Sequence, residues 1–269
     1  MHEWVVEVVG IVRAHQAGAL DAHRQANFPG PHVVRAVSGI QGFNWACVDG
    51  EHGAITDGDY YELCNALSAN GVSPIIRVPN AEEWMVKRAL DAGAHGVMTP
   101  MCHTADDARK IVSWNKYPPN GTRGFGPIYT GHAFGYPSEA DYGAAADASL
   151  VVMVQIESRA GVENVEEIAK VPGLDVLLIG PFDLSKSMGV PFGGDEHQAA
   201  IARILAAAKA AGKAAAIFCV NGDSAATRLA EGFDVVSIGT DIGSLVADMT
   251  KQVAAATGVA ATKKAGGYS

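Results

Sequence analysis

Two acids, an arginine and a histidine dominate the chemistry this sequence offers. Glu157 closes the run Gln155-Ile156-Glu157, and Asp183 follows Gly180-Pro181-Phe182. Each stands just past an apolar segment of strand length. Two carboxylates brought together there repel unless a cation sits between them or one is protonated. Hard oxygen ligands with room for water suit Mg²⁺ or Mn²⁺ better than a closed zinc site. The plainer alternative has Asp183 capping the turn 183–188 and Glu157 pairing with Arg159. Arg77 lies between Ile76 and Val78, where an unpaired guanidinium is costly. It binds a carboxylate or enolate, or it forms a structural salt bridge. His52 can serve as a general base, and Asp49, three residues earlier, could orient its ring. Gly180-Pro181-Phe182 can turn backbone N–H groups toward an anion. Arg123 could reach a substrate, or equally make a surface or subunit salt bridge.

The elements that must position these groups are legible from residue 44 onward. Short apolar runs at Asn44–Val48, Pro74–Val78, Gly96–Thr99, Leu150–Ile156, Val176–Ile179, Ala214–Phe218 and Val235–Ile238 alternate with amphipathic stretches. Those stretches begin near Asp57 and continue over 82–92, 104–114, 161–170, 195–212, 223–231 and 241–256. Buried parallel strands joined by helices read this way. The length of 269 residues fits one (β/α)8 barrel. Five of the seven strands end in charged or amide residues, as expected where such a barrel carries its chemistry. An eighth unit must come from residues 1–43. Val5–Val12 is one candidate strand, Pro31–Gly39 a candidate helix, and 16–28 reads as helix or loop. The domain is drawn as 1–257, with a flexible tail at 258–269. The connection at 115–149 is long enough to cover the barrel mouth or a subunit contact.

Composition removes several functions. The net charge of −9 comes with no basic stripe, which argues against nucleic acid and anionic membranes as partners. No segment approaches the ~20 apolar residues of a membrane span, and Trp4–Val9 lacks the features of a signal peptide. The four cysteines form no CxxC pair, which points to reduced thiols and a cytoplasmic protein. Gly121–Gly126 is glycine-rich but follows no strand, so it is not a dinucleotide fingerprint.

The motifs Asp49-Gly50-Glu51-His52-Gly53, Arg77-Val78-Pro79, Leu90-Asp91-Ala92-Gly93-Ala94, Arg123-Gly124, Gln155-Ile156-Glu157 and Gly180-Pro181-Phe182-Asp183-Leu184-Ser185 occur in that order. As a set they strongly resemble the HpcH/HpaI aldolase/citrate lyase family, in particular its class II, metal-dependent 2-oxo acid aldolases. The resemblance spans about residues 29–257. It implies a TIM barrel of the phosphoenolpyruvate/pyruvate type with an exchanged C-terminal helix, in dimers to hexamers. It implies Mg²⁺, Mn²⁺ or Co²⁺ on Glu157 and Asp183, with His52 as the catalytic histidine backed by Asp49. Arg77 would steady the enolate oxygen, and Gln155 and Gly180–Phe182 would hold the substrate. Asp91 would reach a neighbouring subunit's site.

The implied reaction is reversible aldol cleavage of a 4-hydroxy-2-oxo acid to pyruvate and an aldehyde. A decarboxylase of oxaloacetate, as in macrophomate synthase, is the nearest alternative. A Schiff-base aldolase would need a lysine, for which Lys186 is the nearby candidate. A CoA-thioester lyase would need a basic patch, and a barrel without activity would serve only as an assembly subunit.

Overall fold

The computed structural model describes residues 21–259. Eight parallel strands close into a barrel in sequential order, β1 to β8. They are β1 (Asp21–Ala26), β2 (Phe43–Asp49), β3 (Ser73–Arg77), β4 (Gly96–Thr99), β5 (Val151–Gln155), β6 (Val176–Ile179), β7 (Ala214–Ile217) and β8 (Val235–Thr240). The seven strands expected from residue 44 onward are present, within one or two residues at their ends. Their near-continuous Val, Ile, Leu and Ala content matches burial on both faces: β3, β4, β5, β6 and β7 are buried at every position.

The first unit differs from expectation. The sequence pattern over 16–28 suggests helix or loop, yet Asp21–Ala26 is the strand that closes the barrel. It pairs with β2 on one side and β8 on the other, with a register shift against each. The pattern Asp-Ala-His-Arg-Gln-Ala carries no apolar signal. Two flanking strands with open hydrogen-bonding edges impose the extended conformation that local propensity does not. Val5–Val12, the other candidate, lies outside the described residues. Pro31 opens helix α1 (Pro31–Val37), where a proline at the first position costs nothing.

Most of the remaining helices follow the expected plan; Glu139–Ser149 and Pro181–Met188 are additions to it. The helices after α1 are α2 (Tyr60–Ser68), α3 (Glu83–Asp91), α4 (Ala105–Asn115), α5 (Glu139–Ser149), α6 (Arg159–Glu163), α7 (Val165–Ala169), α8 (Pro181–Met188), α9 (Asp195–Ala210), α10 (Gly222–Ala230) and α11 (Asp241–Thr257). The single helix expected over 161–170 is broken at Asn164 into α6 and α7. A reciprocal capping box at Thr104 and Asp107 starts α4, and a second at Asn221 and Ser224 starts α10.

The 115–149 connection does not lie over the mouth. It folds into a 3₁₀ turn (Thr130–Phe134) and α5, and it packs where β4 begins. There His95 Nε2 donates to the Ala133 carbonyl (2.8 Å), and the Phe134 ring meets those of His95 and Tyr142. Burial of Phe134, Tyr142 and Ala146 draws the segment to that end. Along α11 no residue is buried. Ile242, Leu245, Val246, Met249 and Val253 line up at helical spacing, each 40% exposed or more. No described helix is long and apolar enough to cross a membrane. All four cysteines are buried and free.

Candidate active site

The strand ends that carry the expected polar groups converge on one cavity of about 1010 Å³. Its polar end is lined by Gln25, Asn27, His52, Arg77, Gln155 and Asp183, with Gly180, Pro181 and Phe182 alongside. Strand β2 delivers Asp49 fully buried at its last position, directly beside Arg77 at the end of β3. The pair is bidentate: Arg77 Nε donates to Asp49 Oδ1 and Nη2 to Oδ2, each at 2.8 Å. Gln25 Nε2, from β1, donates to Oδ2 as well. Burial alone would push the Asp49 carboxyl up, but Arg77, the His52 N–H and Gln25 together hold it below the usual range. Burial likewise opposes the charge on Arg77, and its two acidic partners raise its pKa despite that.

Asp49 therefore acts on the His52 loop through the backbone and not through the ring. Its Oδ1 accepts from the N–H groups of Glu51 (3.1 Å) and His52 (3.2 Å). The carboxylate nearest the imidazole belongs to Glu51, whose Oε2 is 3.8 Å from His52 Nε2 and 3.3 Å from Arg77 Nε. The His52 side chain is 44% exposed and faces the cavity. Gly53 keeps this loop against β1: a Cβ there would come within 2.4 Å of the Asp49 carbonyl and 3.2 Å of the Asn27 Cα.

Glu157 is 2% exposed just beyond β5. Its Oε1 accepts from the Met101 N–H (3.0 Å), and its Oε2 from Gln155 Nε2 (2.7 Å). Met101 makes its bond with φ at 55°, a left-handed backbone conformation outside glycine's usual territory. Burial pushes the Glu157 carboxyl up to about 7; the Met101 bond opposes this, while the charges of Asp183 and Glu51 add to it. Arg159 does not neutralise Glu157, since it pairs with Glu196 and the Met188 carbonyl. Gly180 is set by close approach: a Cβ there would stand 2.0 Å from Glu157 Oε2. Asp183, in the first turn of α8, makes no capping hydrogen bond there and is exposed to the cavity. Both parts of the plainer reading of this acid pair are thus absent. Gln155 Oε1 is buried without a hydrogen-bond partner.

Arg123 is not brought to this cavity, and Asp91, expected to serve a neighbouring subunit's site, lies away from its own chain's cavity. Asp91 ends α3, at the opposite end of the barrel. There Arg123, fully buried, donates to Asp91 Oδ1 (2.9 Å) and to the Tyr142 hydroxyl (2.9 Å), with its guanidinium 4.5 Å from the centre of the Tyr117 ring. Four groups at the site are not marked out by residue type and spacing: Gln25, Asn27, Glu51 and the Met101 N–H. Glu51 stood inside a quoted motif, so its neighbours were the available signal. Gln25 and Asn27 belong to or follow the one strand without an apolar pattern.

A buried acid with an exposed acid near it, a paired arginine and a loop histidine at the strand ends suit chemistry on a small anion. The model of the HpcH/HpaI aldolase/citrate lyase family matches residues 31–247. This chain belongs to that family. A hydroxypyruvate/pyruvate aldolase of Paraburkholderia phytofirmans is 39% identical over 210 residues, covering 75% of this chain and 80% of the relative. A 2-keto-3-deoxy-L-rhamnonate aldolase of Escherichia coli is 37% identical over 207 residues, covering 76% and 77%. A family member of solved structure, from Burkholderia cenocepacia, superposes with a TM-score of 0.85 at 32% identity, covering 92% of this chain and 98% of its own. Macrophomate synthase, at 23% identity and a TM-score of 0.82, shares the fold. This HpcH/HpaI protein is an enzyme of the lyase class that works by aldol chemistry.

Proposed function

We propose that the cavity binds pyruvate as an enolate during reversible cleavage of a 4-hydroxy-2-oxo acid, with Glu157 and Asp183 holding a divalent cation. The observation that carries this reading is the state of Glu157: a buried carboxyl raised to about 7, facing Asp183 and next to the unpartnered Gln155 oxygen. A cation relieves all three. No third His, Cys, Asp or Glu joins the pair among the described residues. Two protein carboxylates with the other positions left to substrate and water fit Mg²⁺ or Mn²⁺, which keep several waters. When bound, the cation supplies Lewis-acid polarisation of the 2-oxo group.

The chain's own residues supply the rest. The substrate carboxylate sits at the N-terminus of α8, where the positive end of the helix dipole favours an anion. Arg77 places fixed positive charge where the enolate oxygen develops, and Asp49 holds it there without reorganisation. His52 moves the proton between the C4 hydroxyl, or the pyruvate methyl, and solvent. No described strand contains a lysine, and Lys186 is exposed on α8. This supports the metal route over a Schiff base.

Treatment with EDTA is expected to abolish cleavage, with Mn²⁺, Mg²⁺ or Co²⁺ restoring it. Glu157→Gln and Asp183→Asn should lose Mn²⁺ binding by electron paramagnetic resonance. Full activity in EDTA overturns the proposal. The uncovered apolar stripe of α11 supports exchange of this helix between two copies. Leu245→Asp with Met249→Asp should then yield a smaller species by sedimentation, and an unchanged species counts against the exchange.

A further inference from the structure

The cavity has a second end that pyruvate does not need. Beyond the polar groups it is walled by Phe182, Phe218, Val220 and Ile238, with Ile242 and Val246 from the α11 stripe that the exchange between copies would cover. Phe218, just past β7, is half-buried, and Val220 is 41% exposed. The Phe182 ring meets Phe218 edge-on (6.2 Å, 61°). Phe192 stacks on the same ring (4.7 Å between centroids, 12° between planes). Phe192 is itself 56% exposed, on the loop between α8 and α9.

This wall is held in place from behind. His197, in the first turn of α9, is fully buried. The Gly193 N–H donates to its Nδ1 (3.0 Å), which fixes the tautomer, so Nε2–H donates to the Pro181 carbonyl (2.8 Å). One imidazole thereby ties the Phe192 loop to the turn that carries Phe182. A preorganised aromatic surface of this kind binds flat apolar groups at little entropic cost.

Among the described residues the same end carries no cationic side chain. Arg77 is the one lysine or arginine lining the cavity among the described residues, and its guanidinium is engaged by Asp49 and Glu51. Of the polar atoms that border the apolar end, the Asn221 oxygen accepts from Ser224 N and the Thr240 hydroxyl from Gly243 N. An acceptor with a second carboxylate would leave it desolvated and unpaired, which is costly.

We infer that the aldehyde partner of this aldolase carries an aryl or similarly flat apolar group, seated against Phe182 and Phe218. The inference rests on the pyruvate-enolate reading above. In the addition direction, C3 of pyruvate gives up a proton and bonds to the aldehyde carbon. The aldehyde oxygen takes up a proton, and nothing is oxidised overall.

The test measures kcat/KM for pyruvate with benzaldehyde, glyceraldehyde and succinic semialdehyde. It is run beside exchange of pyruvate methyl protons in D2O followed by NMR. Benzaldehyde is expected to be preferred by about tenfold or more, the worth of one or two good aromatic contacts. Phe218→Ala should reduce that ratio toward unity. Val220→Arg, at an exposed position, should raise succinic semialdehyde relative to benzaldehyde. Methyl exchange without an aryl preference, or a preference untouched by both variants, overturns this inference alone. Absence of both exchange and cleavage in the metal-supplied enzyme overturns the enolate reading and this inference with it.

Discussion

Arg77 and Arg123 are two buried arginines, each paired to a carboxylate, at opposite ends of one barrel. Arg77 meets Asp49 with both forks, touches Glu51, and still faces the large cavity. Arg123 meets Asp91 with one nitrogen and the Tyr142 hydroxyl with another, and the Tyr117 ring covers its face. Its Nε has no partner, and it lines no part of the large cavity. The residue types are alike, but the space left beside them is not. A paired arginine can act on a ligand only if a ligand can reach it. At the strand C-termini, loops of glycine and short polar residues leave that space. At the other end, Phe134, Tyr142 and Tyr117 fill it.

Substitution at the two positions is the sharpest way to break this contrast. Arg77→Met should lower kcat by about 10²–10³-fold, as expected for loss of preorganised charge at a developing oxyanion. Steady-state rates of pyruvate release check it. If Arg77→Met stays within severalfold of the parent while Arg123→Met abolishes turnover, the two ends have been assigned backwards.

The second difference concerns what each end does as pH falls. Burial lowers His95, beside the Arg123 end, to about 4, against a small opposing contribution from its bond to Ala133. The unfolded chain takes up this proton near pH 6.5 and the native chain only near 4. Native stability therefore falls as pH drops through that window, and the contribution of this group, about 3 kcal/mol, is gone below it. Urea unfolding at pH 7.5, 5.5 and 4 should show this slope, and His95→Phe should flatten it. An equal slope in the variant would assign the loss to other groups.

A smaller effect is expected from Arg123 itself. Arg123→Met should cost about 2 kcal/mol of stability, because Asp91 is partly exposed and can be rehydrated. Arg123→Lys keeps the charge but not the fork or the stacking, and should cost about 1 kcal/mol. Thermal unfolding reads both, and pyruvate KM should stay within about twofold, a change worth less than 1 kcal/mol. A rise of KM in step with the loss of stability would join Arg123 to the site after all.

The sequence by itself determined most of the barrel and the identities at its mouth. Runs such as Val151–Gln155 and Val176–Ile179 are apolar throughout because both strand faces are buried, and that pattern survives without any tertiary knowledge. Glu157, Asp183, Arg77 and His52 were visible because they interrupt or end such runs, where a charge is expensive unless used. Tertiary structure alone decided three matters. It made Asp21–Ala26 a strand, since only the open edges of β2 and β8 can order so polar a segment. It gave Asp49 to Arg77 and left Glu51 nearest the His52 ring, a choice between two acids two residues apart that depends on which way each loop bond turns. And it sent Arg123 to the far end, because its partners Asp91 and Tyr142 are distant in sequence and meet only when α3 and α5 pack. Local composition records burial. Which polar groups end up facing each other, and whether space remains beside them, is a property of the closed barrel.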